Sequence, residues 1–407
     1  MRLDPATVPQ PYALLLLPSP PSGSFSGLRG KYEQALSAVY LKLQQRLNGA
    51  NTVAILDIAV EIPALLSSGL PRSTAFASLQ RLLANVYKLV CAISATENIE
   101  LDFPGGIDTR VIFVDRQSAS GPVVPDHGPI VSLKVLAESV RPWDSIYHIK
   151  SAAGKDLVEY FRRHLSPQFQ GRYATSTYAV PGGQEGPSSS EPLWLHDDRQ
   201  LQTPNYSVAV GGTFDHLHIG HKLLLTATVL ALDPIRDTDR GRDRLITVGV
   251  TGDELLVNKK YAEYLESWDE RCHSTASFLL AIMDFFPSEG HTPDVERVSD
   301  PGPNGKYFLV KLRPDLSIRL VQISDPCGPT ITEESIDALV ISAETRTGGK
   351  FVNDERAKKG WKALEIFEVD ILLSGDIAEA TGVESESFGS KISSTDIRRR
   401  HMDLAKK

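Results

Sequence analysis

Short apolar runs, mostly β-branched, alternate with longer amphipathic stretches along nearly the whole chain, and the alternation occurs twice. In the first half, "YALLLL", "TVAILDIAV", "TRVIFVD" and "SIYHI" read as buried strands. Between them, "LRGKYEQALSAVYLKLQQRL" and "STAFASLQRLLANVYKLVCAI" carry a helical period, with Ser73 and Thr74 as the expected cap of the second. "KDLVEYFRRHL" closes that unit. From Tyr206 onward the strands are "YSVAVGG", "LITVGVTG", "IRLVQIS", "ALVISAE" and "FEVDILLSG". The helices between and after them are "HKLLLTATVLAL", the stretch from Arg271 to Phe286, "GGKFVNDERAKKG" and "STDIRRRHM". Alternation of this kind dictates parallel sheets with helices on both faces, an α/β fold in each half.

The two halves are separated by "VPGGQEGPSSSEP", Val180 to Pro192, which offers a core almost nothing to bury. The expected division is an N-terminal α/β domain over 1–170, a linker over 171–204 and a second domain over 205–407. Within the second domain, "DPIRDTDRGRDR" and the polar region from Pro287 to Pro314 read as surface insertions. A formal net charge of −8 gives no general basic surface for nucleic acid or anionic lipid. Cys91, Cys272 and Cys327 have neither disulfide-framework nor zinc-ligand spacing, which fits a reducing compartment. The apolar run near the start is too short for a signal peptide or for a span of about 20 residues, so a cytoplasmic protein with no membrane partner is expected.

Ten histidines occur in 407 residues, and three of them fall in "GGTFDHLHIGH", Gly211 to His221. The stretch is the turn between the first strand of the second domain and its helix, where doubly wound sheets bind ligands. Gly211 and Gly212 allow close backbone approach and Thr213 adds a hydroxyl. His218 and His221, three apart with Gly220 between them, share a face at a helix N-terminus and present two donors to an anion. A metal site is the second reading, but the stretch lacks metal-motif spacing and the first half has no matching ligand group. Near the end, "GSKISSTDIRRR" puts Ser393, Ser394 and Thr395 at a helix start, with Arg398 one turn on, as a second anion cradle. Lys259 and Lys260 follow the second strand on the same sheet edge, where either can reach a phosphate as a point charge. Two cradles on one edge fit a polyphosphate. In the first domain, Asp108, Arg110, Asp115 and Arg116 flank a strand and read as solvated.

These residues resemble the nucleotidyltransferase superfamily, whose H/T-x-G-H turn stands here as His218-Ile219-Gly220-His221 and whose late hydroxyl-rich motif stands as "KISSTDIR". In finer detail, "GGTFDHLHIGHKLLL", "VGVTGDELLVNKK", the "DER" containing Arg271, "SDPCGPT", "VISAETRTGG" and "KISSTDIRRR" resemble phosphopantetheine adenylyltransferase of the eukaryotic type, in the same order. The resemblance covers Tyr206 to His401. It implies a Rossmann-like nucleotidyltransferase domain that joins ATP and 4′-phosphopantetheine, with magnesium carried on the ATP phosphates and no metal held by the protein. It implies ATP contacts from Gly211, Gly212, Thr213, Phe214, Gly220 and Arg346. It implies phosphate contacts from Ser393, Ser394, Thr395 and Arg398, and catalytic roles for His218, His221 and Lys259. Thr213, Lys260 and Arg271 are the implied contacts to the second substrate. No G-x-x-x-x-G-K-[ST] phosphate loop occurs, so a monofunctional enzyme of the fungal type is expected rather than one fused to a kinase. Two alternatives stay open: another transferase of this fold, using CTP or a different acceptor, and a non-catalytic nucleotide-binding scaffold. The first domain has no catalytic constellation; association with other enzymes of coenzyme A synthesis, or stability alone, are its expected roles.

Overall fold

The computed structural model describes residues 10–47, 52–66, 71–101, 104–116, 127–139, 141–166, 176–183, 203–285, 293–372 and 393–406. The N-terminal half builds a six-stranded sheet from β1 (Tyr12–Leu17), β2 (Ala54–Glu61), β3 (Ile107–Asp115), β4 (Ile130–Ser132), β5 (Ser145–Ile149) and β6 (Thr177–Val180). Its order is β4-β3-β2-β1-β5-β6, and every pairing is parallel. The period of two along a strand sorts its apolar residues between two cores. Ala13, Leu15 and Leu17 face α1 (Phe25–Leu47) and α2 (Phe76–Thr96). Leu14 and Leu16 face α3 (Leu133–Glu138) and α4 (Ala152–Arg163). Burial on both faces is why these strands read as continuous apolar runs.

The second sheet contains β7 (Ser207–Gly212), β8 (Arg244–Thr251), β9 (Asp294–Ser299), β10 (Lys306–Arg313), β11 (Leu316–Ile323), β12 (Ala338–Ser342) and β13 (Glu365–Val369), in the order β13-β12-β7-β8-β11-β10-β9. Val208 and Val210 face α5 (Ile219–Ala231) and α6 (Trp268–Met283), whereas Ala209 faces α7 (Arg346–Lys358). The last helix, α8 (Ser394–Ala405), returns to the sheet's carboxyl edge.

Four expectations change. The polar region from Pro287 to Pro314 contains β9 and β10; β10 pairs antiparallel with both β11 and β9, which extends the sheet edge. β10 alternates buried residues such as Phe308 and Val310 with more exposed ones, β9 has no buried residue, and the polar positions hid both. The α2 cap is different: Ser73 and Thr74 lie in a preceding 3₁₀ turn, and Ala75 occupies the N-cap position without a side-chain bond. β6, inside the span expected to be linker, pairs with β5. Residues 184–202 of that span, and Phe286 at the end of the expected α6 stretch, lie outside the described residues. Finally, the charges around β3 are not solvated. Asp115 is buried and accepts a bond from the Leu66 amide at 3.0 Å, Arg116 pairs with Glu61, and Asp108 pairs with Arg110 and Lys222.

The halves are fused by a shared apolar core. α2 packs along α5, and the Phe76 ring meets that of Phe367 in β13 at 4.6 Å. The polar ties are specific. The Ser73 amide and hydroxyl both donate to the buried Asp233 carboxylate, at 2.9 and 2.8 Å, and the Asn205 amide donates to the same group at 2.9 Å. Gly128 donates to the Met283 carbonyl at the end of α6, so closely that a Cβ there would lie 1.9 Å from the Ile282 carbonyl oxygen. Among the described residues, no helix is long and apolar enough to cross a membrane.

Candidate active site

Along the second sheet the chain moves outward from β7 to β8 and β11, then crosses back to place β12 on the other side of β7. Connections leave in opposite directions at β7 and β12, which opens a crevice at the strands' carboxyl ends. A cleft of about 260 Å³ lies there, walled by Gly211 and Gly212 at the end of β7 and Thr213 after it, Gly249 and Thr251 of β8, and Gly348 and Gly349 of α7, among others. A Cβ added at Gly211 would meet nothing nearer than the Gly249 carbonyl at 4.0 Å. The missing side chain therefore leaves room for a ligand and relieves no packing constraint.

From Thr213 the chain turns sharply. Phe214 and His216 take left-handed backbone angles, φ 51° and 46°, which cost non-glycine residues on the order of 1–3 kcal/mol each. The surroundings hold this shape at several points. Arg271 donates to the Thr213 carbonyl at 2.6 Å, Glu266 accepts from the His216 amide at 2.7 Å, and Ser394 donates to the Asp215 carbonyl at 2.8 Å. His218 then caps α5: its Nδ1 accepts from the Gly220 amide at 3.1 Å. In the neutral ring that bond leaves the proton on Nε2, which becomes a donor. The His221 ring stacks on that of His218 at 3.9 Å, and Phe214 connects the pair to the cleft, 5.5 Å from His221 and against the Cβ position of Gly212.

Burial is the main force on the protonation of this pair. It lowers His221 to about 3 and His218 well below the ordinary value. The positive charge of Lys222 adds to both, and His218 is lowered further by His221. Both rings are therefore neutral at physiological pH. His221 Nδ1 is buried without a hydrogen bond of ordinary geometry, although the His216 backbone approaches closely enough to favour a proton there.

The hydroxyl-bearing terminus of α8 meets the histidine loop on Asp215. Ser393 caps the helix, Ser394 bonds the Asp215 carbonyl, and Arg398 forms a buried ion pair with the Asp215 carboxylate. Asp215 is the organising residue that sequence reasoning missed. It is fully buried, its second oxygen accepts from the Glu266 amide at 3.0 Å, and it stood in plain view inside "GTFDHLH". A carboxylate in a stretch otherwise suited to anions was the available signal.

Three of the expected contacts are held by protein partners. Arg398 is buried and its donors go to Asp215, Lys260 O and Thr395 Oγ1, so it braces the cradle and presents no free fork to a phosphate. Arg271 is fully buried and bonds Glu266 O, Thr213 O, Thr251 O and Asp253, clamping the loop from behind. Arg346 is exposed and pairs with Glu368 of β13, while its neighbours Thr345 and Gly348 line the cleft. Lys259 and Lys260 are exposed, on a loop tied to α8 through the Lys260 carbonyl. Among the described residues, no group of histidine, cysteine or carboxylate side chains is arranged to hold a metal ion.

Comparison with known proteins agrees with this geometry. Residues 209–400 match the cytidylyltransferase-like family model, and residues 2–185 match a domain of unknown function (DUF8446). A phosphopantetheine adenylyltransferase of Thermococcus gammatolerans is 30% identical over 198 residues, which cover 49% of this chain and 91% of that protein. The chain belongs to the phosphopantetheine adenylyltransferase family. A family member from Saccharomyces cerevisiae is 34% identical over 230 residues, 55% of this chain and 60% of its own length. An uncharacterized protein of Schizosaccharomyces pombe is 36% identical over 211 residues, 52% of this chain and 53% of its own. The chain thus spans between a half and two thirds of the length of these two fungal relatives.

Proposed function

We propose that the chain transfers AMP from ATP to 4′-phosphopantetheine, giving dephospho-coenzyme A and pyrophosphate. One observation supports the reading: the loop that carries the histidine pair is joined at Asp215 to the hydroxyl terminus of α8, and the glycines and Thr213 that lead into that loop wall the cleft at the switch point. An oxygen of the 4′-phosphate attacks the α-phosphorus of ATP, and the bond to the bridging oxygen of the β-phosphate breaks. The nucleophile is already an anion, so the protein's work is orientation and stabilisation of charge growing on pyrophosphate. His218 offers its Nε2–H, and His221 stabilises the transition state at the α-phosphate. Thr213 orients the attacking phosphate. The free amides and hydroxyls at the α8 start, with Ser393, Ser394 and Thr395, hold the β- and γ-phosphates. Lys259 supplies a further positive charge, with Lys260 the alternative. Magnesium carried on the triphosphate oxygens would neutralise part of their charge.

A panel of ATP and CTP against 4′-phosphopantetheine, phosphocholine and nicotinate mononucleotide, read as pyrophosphate release, tests the reading. Release is expected with ATP and 4′-phosphopantetheine alone. Preference for CTP or for another acceptor overturns the substrate assignment, and ATP binding without release makes the protein a scaffold.

A further inference from the structure

We infer that Asp108, on the N-terminal sheet, is a positioning residue of the C-terminal active site, acting through Lys222. The inference rests on the adenylyl-transfer reading of that site. Lys222 follows His221 in the first turn of α5 and is only 4% exposed. Its Nζ lies 2.8 Å from Asp108 Oδ1, in β3 of the other domain. Asp108 Oδ2 accepts from Arg110 at 3.1 Å, which fixes the carboxylate on its own sheet. The N-terminal domain thus places a negative charge one residue away from the histidine pair.

The electrostatic consequence follows from the site's charges. Lys222 disfavours a proton on either His218 or His221. Asp108 offsets that effect. Burial opposes its ionisation, but the charges of Lys222 and Arg110 outweigh burial and hold the carboxyl below its usual range. Other groups face the same region: Tyr87 of α2, Asp215 and His216 of the loop, Glu266 before α6, and Arg398 and His401 of α8. Asp108, Arg110, Lys222, His216, Glu266 and His401 wall one cavity of about 490 Å³ behind the loop, a partly enclosed setting where such charges are felt more strongly than in bulk water. Asp108 therefore holds the Lys222 ammonium away from the reacting phosphates and, by offsetting its charge, sets how readily the neutral rings take up a proton.

The test compares Asp108→Asn, Asp108→Glu, Lys222→Met and the Asp108→Asn/Lys222→Met pair in the full chain, with Ser73→Ala as a purely structural change at the same domain junction. In Asp108→Asn, kcat is expected to fall about tenfold while KM for ATP stays within about threefold, and the acid limb of kcat to move about one unit lower, a factor of ten in the proton equilibrium. Asp108→Glu recovers most of both effects. The double variant brings the acid limb back, because the charge that Asp108 offsets is gone. Lys222→Met moves the limb upward. Ser73→Ala lowers Tm and leaves the limb in place. Wild-type kcat and limb in Asp108→Asn overturn the inference, as does a loss of rate that tracks Tm with no movement of the limb. Should the wild-type chain release no pyrophosphate, the activity reading fails. The pH dependence of ATP affinity across the same variants, by calorimetry, then decides the coupling: the same displacement of the acid limb supports it, and its absence refutes it.

Discussion

The two sheets share one architecture but finish their carboxyl edges in opposite ways. Each is doubly wound about its first strand, with a switch point between β7 and β12 in one and between β1 and β5 in the other. At β7 the edge is open: two glycines, Thr213 and the start of α7 leave a cleft beside the strained loop. At β1 the chain closes its own edge. Tyr32 donates to the Pro18 carbonyl, Lys31 to Ser19 O at 2.7 Å, and Glu61 accepts from the Ser19 amide at 3.2 Å. The segment after β6 then packs across α1: Gly183 donates to Lys31 O at 3.1 Å, and a Cβ there would lie 1.6 Å from the Gly30 carbonyl oxygen. A switch point is a place where a site can be built, and the side chains and backbone at the edge decide whether one is.

The largest effect that sharpens this contrast comes from the open edge. His221→Ala is expected to reduce kcat by a factor on the order of 10² or more, as loss of a preorganised donor does, with Tm almost unchanged. Steady-state pyrophosphate release and thermal unfolding check both halves, and undiminished turnover removes His221 from the chemistry. At the closed edge the balance is reversed. Gly183→Ala should destabilise the protein by about 1–3 kcal/mol, through overpacking against Gly30, while leaving kcat intact below the transition. Denaturant titration measures the first, and a Gly183→Ala protein as stable as wild type would show that this edge is not sealed. Gly211→Val adds a branched side chain to the open cleft: KM for ATP is expected to rise roughly tenfold, about 1.4 kcal/mol, with little change in Tm.

A further effect is a pH dependence of stability. His218 and His221 are lowered in the folded chain, chiefly by burial, His221 to about 3. Above roughly pH 6.5 both states are neutral at these positions and nothing is gained or lost. Below it the unfolded chain takes up protons that the folded chain refuses, so stability falls as pH drops from about 6.5 toward 3. Thermal unfolding of His221→Gln should be less sensitive to pH across that window than wild type, and equal slopes would contradict the burial of this ring.

Strands β1, β2, β3, β5, β7, β8, β11, β12 and β13 were legible because burial makes them strongly apolar, as in "YALLLL" and "TVAILDIAV". β9 and β10 were not, because an antiparallel edge facing water is half polar. Likewise the histidine pair and the α8 hydroxyls could be read as anion donors from residue type and helix position alone. The roles of Arg271 and Arg398 could not, since a guanidinium serves phosphates and carbonyls equally well, and only its neighbours distinguish them.

The sequence by itself determined the α/β class, the strand–helix turn carrying the donors and the late hydroxyl cap, because local periodicity and capping chemistry reside in adjacent residues. Tertiary structure alone decided that Asp215 joins the histidine loop to α8 and that Asp108 reaches Lys222 from another sheet. It also decided that one switch point opens while the other is sealed. Those contacts join residues far apart along the chain, and their charges and clashes exist only once the packed cores bring them within a few ångströms.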